Sequence, residues 1–134
     1  MSPKITIIKE VKCTIGTISL RSDKILIFKP FNGVDKWEMK ALKEMYHLFM
    51  EITGGVPHLY YSDNTNLKSF GAEERAYICS TFHHFALACA IIENSALIRF
   101  LTHYMMYLNK PKIPLALFKK EADAILWLKS LKFD

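Results

Sequence analysis

The chain is poor in the features that announce a reaction or a special compartment. It holds three cysteines in 134 residues, Cys13, Cys79 and Cys89. An odd and widely spaced set makes neither a disulfide framework nor a paired metal knuckle, and it fits a reducing compartment. Long apolar runs are also missing. The longest, Phe85 to Ile92, is less than half of the roughly 20 residues that span a bilayer. The opening Met1-Ser2-Pro3-Lys4 reaches Lys9-Glu10 without an apolar stretch of the kind that precedes a cleavage site, so we expect neither a secretory signal nor membrane insertion. The expected location is cytoplasmic.

Charge of one sign is not concentrated anywhere. The formal net charge is +5, yet lysines from Lys4 to Lys132 fall in nearly every segment and no run reaches five or six like charges. Tyr60 and Tyr61 are neighbours in a predicted strand and therefore face opposite sides, so they make a thin stacking platform. No nucleic-acid partner is expected.

Catalytic signatures are absent as well. No Gly-x-Ser-x-Gly elbow occurs, and Gly54-Gly55 is too short and follows a helix where a phosphate loop precedes one. Glu73 and Glu74 are adjacent on a predicted helix and point about 100° apart, which suits first-turn acids better than an acid/base pair. Cys79 and His83, four apart with His84 next door, share a predicted helical face. A zinc site needs three or four ligands, and no second pair has ligand spacing. We expect no enzyme, no metal and no cofactor.

What the chain does have is the composition of a folded domain, 51% hydrophobic and 23% charged. Its length fits one domain over residues 1–134. Thr14 to Arg21 alternates, with Ile18 and Leu20 on one face, and Ile25-Leu26-Ile27-Phe28 resumes after the polar turn Arg21-Ser22-Asp23-Lys24. The two make a hairpin, with Ile5 to Val11 a further strand. Asp35 and Glu38 have the spacing of a capping box. The helix after them places Ala41, Leu42, Met45, Leu48, Phe49 and Ile52 on one stripe and ends at Gly54-Gly55. Val56 to Tyr61 is a strand. Gly71-Ala72-Glu73-Glu74 opens a helix running to His83 or His84. Leu87 to Ile92 reads as a strand covered on both faces. Asn94-Ser95 caps a helix with the stripe Leu97, Leu101, Tyr104 and Leu108, which Lys110-Pro111 ends. Ile113 to Phe118 is the last strand. Glu121 to Leu131 is the last helix, with Ala124, Ile125, Leu128 and Leu131 inward. Strands alternating with helices at this spacing predict an α/β fold: a mixed, mostly parallel sheet with an N-terminal β-hairpin, packed by about four helices.

Several stretches, in this order, carry a resemblance: Ile18-Ser19-Leu20-Arg21-Ser22-Asp23-Lys24-Ile25-Leu26; Val56 to Asp63 leading to Gly71-Ala72-Glu73-Glu74-Arg75; Asn94 to Arg99; and Lys110-Pro111 followed by Pro114, Phe118 and Ala124 to Leu128. Over Thr14 to Leu131 the chain resembles the STAS domain, the sulfate-transporter and anti-sigma-factor-antagonist family, in its small stand-alone bacterial members. That resemblance implies a non-enzymatic, regulatory protein-binding module. In some relatives a serine at the start of the helix after the central strand is phosphorylated, within Asp-Ser followed closely by Gly. Here the comparable stretch is Lys68-Ser69-Phe70-Gly71, so the serine is present and the acid before it is a lysine. Ser69 is the candidate phosphosite, with a plain helix-entry residue as the ordinary alternative.

Two further candidates come from the residues themselves. Asp63 and Asn64 lie just past a strand end, where α/β sheets place ligand-binding groups, and they are also ordinary turn formers. The helix from Arg99 to Leu108 is apolar over most of its girth, so it is either deeply buried or covers a partner. We assign Arg99, Phe100, His103, Met106 and Tyr107 to a candidate interface, most economically a homodimer. The leading reading is a protein-binding module. The alternative is a carrier of a small apolar or lipid-like molecule in a cavity lined by Phe and Met, with an enzyme a distant third.

Overall fold

The computed structural model describes residues 4–133. The chain opens with an antiparallel meander of β1 (Ile7–Lys12), β2 (Gly16–Arg21) and β3 (Ile25–Pro30). The predicted hairpin is the β2–β3 pair, with Ile18 opposite Phe28 and Leu20 opposite Leu26. Its three-residue turn ends at Lys24, whose φ of 70° is the left-handed conformation such turns demand. Gly16 lies where backbone of the next strand comes close. A Cβ there would stand 2.5 Å from the Lys29 carbonyl oxygen and 2.8 Å from Pro30 Cα, so only glycine fits.

A two-residue strand follows, β4 (Lys36–Trp37), and then α1 (Met39–Thr53). The capping box expected at Asp35 and Glu38 does not form. Glu38 is the N-cap and makes no side-chain hydrogen bond as a cap, and the chain before it pairs instead with Ser69–Phe70. The stripe predicted for α1 does point inward: Leu42, Met45, Phe49 and Ile52 are buried, and Ala41 and Leu48 are half-buried. Gly54 and Gly55, with φ of 65° and 77°, end the helix.

The parallel half is β5 (His58–Asp63), β6 (Ser69–Phe70), α2 (Ala72–Thr81), a 3-10 turn over Phe82–His84, β7 (Ala86–Ile92), α3 (Ala96–Asn109), β8 (Leu115–Phe118) and α4 (Glu121–Ser130). The main sheet has the order β1-β2-β3-β5-β7-β8, parallel from β3 onward. Each crossover steps one place in the same direction, so connections of one hand put α1, α2 and α3 on one face. There they bury Ile18, Leu20, Leu26, Phe28, Tyr60, Cys89 and Ile91. With no strand after it, α4 folds onto the other face, and Ala124 and Leu128 cover Ile25, Ile27, Tyr61, Ala88, Ala90 and Ile92. Burying one such large apolar side chain contributes about 1.5–3 kcal/mol. Tyr60 and Tyr61 do face opposite sides, and both are buried.

Apart from the main sheet, β4 and β6 pair in parallel as a two-stranded ribbon, Lys36 against Ser69 and Trp37 against Phe70. The Asp35 carbonyl oxygen accepts from the backbone N–H of Lys68 at 2.7 Å and of Ser69 at 3.3 Å. Among the described residues no helix is long and apolar enough to cross a membrane.

Candidate functional site

The outer surface of α3 is the first feature that calls for a function. Ser95 caps it, its Oγ accepting from the Ile98 N–H at 3.3 Å, as the sequence predicted. Glu93, almost wholly buried, accepts from the Ser95 N–H at 3.0 Å and from Arg99 Nε at 3.1 Å. Those bonds neutralise a buried carboxylate and fix the entry of the helix. Arg99 thus holds α3 in place besides bordering its surface.

The inward face of α3 is Ile98, Thr102 and Met105, not the predicted stripe. Leu97, Tyr104 and Leu108 turn outward instead, and Leu101 is half-buried. Joined by Phe100 and Tyr107, they form a continuous apolar ridge at helical spacing on the side away from the core. Tyr107 is 79% exposed and Phe100 63%, and their neighbour Tyr104 stacks on Phe100 with centroids 6.3 Å apart. Of the other candidate interface residues, His103 is exposed beside the ridge and Met106 is half-buried. A helix face this apolar and this open is unusual in a chain that acts alone.

The second feature is a cavity of about 60 Å³ between the sheet and α1, α2 and α3. Met45, Phe49, Phe82, Phe85 and Met105 are part of its wall, and Trp37 and Phe70 of the β4–β6 ribbon lie against it. Its polar lining includes Ser62, whose hydroxyl donates to Asn64 Oδ1 at 2.7 Å with both residues buried, and Thr81 and Thr102. The lining residues that keep partial exposure on the helices are Tyr46, Tyr77, Ile78 and Thr81, so the way in lies between α1 and α2. Tyr46 there shares a 2.8 Å hydrogen bond with His84 Nδ1.

The remaining candidates fall elsewhere. Asp63 closes β5, and its Oδ1 accepts from the N–H and the hydroxyl of Thr65 at 3.1 and 2.5 Å, a turn-forming arrangement. Asn64 turns inward to the cavity. Ser69 is exposed in β6 and is not the helix cap; that position belongs to Gly71. Cys79 and His83 do not share a helical face, because α2 ends at Thr81 and His83 belongs to the 3-10 turn. Among the described residues no three His, Cys, Asp or Glu side chains gather as metal ligands would. Burial raises the Cys79 thiol to about 11 and pushes Cys89 higher still, so both stay protonated and are poor nucleophiles at neutral pH.

Sequence reasoning missed the ribbon and with it the wall that Trp37 gives the cavity. Two-residue strands have no period to read. The one available signal was Trp37, a large apolar side chain between Lys36 and Glu38.

No curated protein matches the sequence. Among solved structures the chain is similar to an uncharacterized protein of the DUF3478 family with a SpoIIAA-like fold, from Shewanella loihica PV-4. The TM-score is 0.57 at 17% identity, over 96% of this chain and 98% of that one. Likeness at that identity speaks to the fold alone, and the fold is the STAS-like one expected from the order of elements. Residues 18–132 match the family model described as Domain of unknown function (DUF7793), and the chain belongs to that family.

Proposed function

We propose that this chain is a non-enzymatic, regulatory binding module that works through the outward face of α3, and that its first partner there is a second copy of itself. The single observation that carries this reading is the ridge Leu97, Phe100, Tyr104, Tyr107 and Leu108, all exposed on a helix whose opposite side is fully packed. Aromatic side chains with few charges are the composition of interface centres. Arg99 and His103 are the only basic side chains of α3, and the helix carries no acid, so the apolar residues dominate any contact it makes.

An isologous pair of antiparallel helices is the simplest way to cover such a ridge. With the two-fold axis beside His103 and Tyr104, Phe100 of each copy packs against Tyr107 of the other. At 14 residues, α3 is about 21 Å long, and its flanks add to the contact. A heterologous protein partner would compete for the same face, as befits a regulatory role. The module works in the cytoplasm on this reading. Ser69 remains our candidate for modification: it is exposed, and its register partner is Lys36, an ammonium that a phosphate could meet.

Mixing Phe100→Cys and Tyr107→Cys chains with a short bismaleimide tests the arrangement. The expected product is a cross-linked mixed dimer, stronger than either variant gives alone. The native cysteines are all buried and do not confuse the result. Equal or absent cross-linking overturns the arrangement.

The cavity supports a second reading, a small apolar ligand held between α1, α2 and the sheet. It is lined by Phe and Met side chains, as a carrier would be. Mass spectrometry of protein purified gently and then denatured tests it. A small molecule released in stoichiometric amount supports the carrier, and its absence removes the support.

A further inference from the structure

In the wall of the cavity stands a tryptophan whose hydrogen-bond donor has no partner. Trp37 is 6% exposed, it lines the cavity, and its indole Nε1 is buried with no partner among the described residues. The ring is held by its neighbours, Phe28 at 6.0 Å and Phe70 at 5.8 Å between centroids. A buried N–H normally finds an acceptor, and an unpaired one marks a place that a water or a ligand completes.

The rest of the wall narrows what that ligand is. None of the lining residues is Asp, Glu, Lys, Arg or His. An ionised ligand would therefore lose its hydration with no charged side chain in the lining to meet it. The hydroxyls of Thr81 and Thr102 donate to the backbone oxygens of Tyr77 and Ile98, and that of Ser62 to Asn64. Those three protons are spent, and among the described residues the indole nitrogen is the one fully buried side-chain polar atom of the lining without a partner. We infer that Trp37 is the recognition donor of a binding site for a small, uncharged, mostly apolar molecule carrying one hydrogen-bond-accepting oxygen, such as a ketone. This rests on the reading of the cavity as a ligand site and adds the ligand's class and the residue that selects it.

Size sets a further condition. The space, about 60 Å³, is under half of the roughly 150 Å³ cavity that admits benzene. The oxygen-bearing end of the molecule enters it, with Met45 and Met105 adjusting, and the remainder lies toward the opening between α1 and α2.

Nitrogen-15 spectra of the intact protein read this directly, because the chain has two tryptophans and Trp127 lies against the opposite face of the sheet. Titration with cyclopentanone should move the Trp37 indole N–H saturably and leave that of Trp127 in place. Cyclopentane should bind roughly five- to tenfold more weakly, the worth of one hydrogen bond, and cyclopentanecarboxylate should not bind. Trp37→Phe should bind both neutral probes alike. Equal binding of ketone and hydrocarbon to the unaltered protein would sink the donor role while sparing the cavity as an apolar site. If neither binds and the indole proton contacts only water, both readings fail.

Discussion

Trp37 and Phe70 stand side by side in two parallel two-residue strands, their rings 5.8 Å apart and tilted by 57°. This one pair ties the segment before α1 to the segment before α2 and lays both rings over the cavity. Trp37→Ala removes the ring from between Phe28 and Phe70, and we predict a loss of about 3–5 kcal/mol. Urea unfolding followed by circular dichroism checks it; a midpoint unchanged from the parent would show that the ribbon contributes nothing.

Gly16 is a second point of close approach, with the backbone of Lys29 and Pro30 occupying the place of a Cβ. Gly16→Ala should destabilise the protein by roughly 2 kcal/mol, since backbone cannot step aside as a flexible side chain can. A thermal melt of the variant is the measurement.

Lys24 holds a left-handed conformation in the β2–β3 turn at φ 70°. That conformation costs a non-glycine residue about 1–2 kcal/mol, of which glycine's larger unfolded-state entropy gives back a part. Lys24→Gly should therefore raise stability by about 0.5–1 kcal/mol, seen as a higher denaturation midpoint with unchanged slope.

Asp23 predicts a pH dependence. Partial burial pushes its carboxyl up, but hydrogen bonds and charge from Arg21 and Lys129 outweigh that and hold it below its ordinary value of 3.8. The Arg21 contact is 2.6 Å and the Lys129 contact 3.0 Å. A pKa lowered on folding stabilises the native state above the unfolded value, and the benefit disappears as pH falls through the folded one. Asp23→Asn should be less stable than the parent at pH 7, and the two should converge below about pH 4. Denaturant titrations at pH 7, 5 and 3 follow the difference.

Much of this fold was legible because strong periods survive in the sequence. The α1 stripe Leu42, Met45, Phe49 and Ile52, the hairpin about Ser22 to Lys24, and the apolar run of β7 all point where they should. α3 shows where the reading failed and why. It is apolar nearly all round, so Leu97, Leu101, Tyr104 and Leu108 make as good a stripe on paper as Ile98, Leu101 and Met105. The buried side includes Thr102, whose hydroxyl donates to the Ile98 carbonyl oxygen at 2.8 Å, so that a polar side chain can be buried there. Packing made that choice, and no local pattern records it. The candidate interface nonetheless lies on the helix the sequence singled out, while the cavity depends on pairing between Trp37 and Phe70, 33 positions apart, that no window along the chain contains.

Sedimentation equilibrium on the unaltered protein and on Tyr107→Glu tests the proposed α3 contact most directly. The prediction is a concentration-dependent dimer that the glutamate converts to a folded monomer, whose melting temperature matches that of the parent at dilutions where the parent is monomeric, because Tyr107 is 79% exposed and supports no core contact. An unaltered protein that stays monomeric at high micromolar concentration, or a variant that dimerises as the parent does, would contradict it.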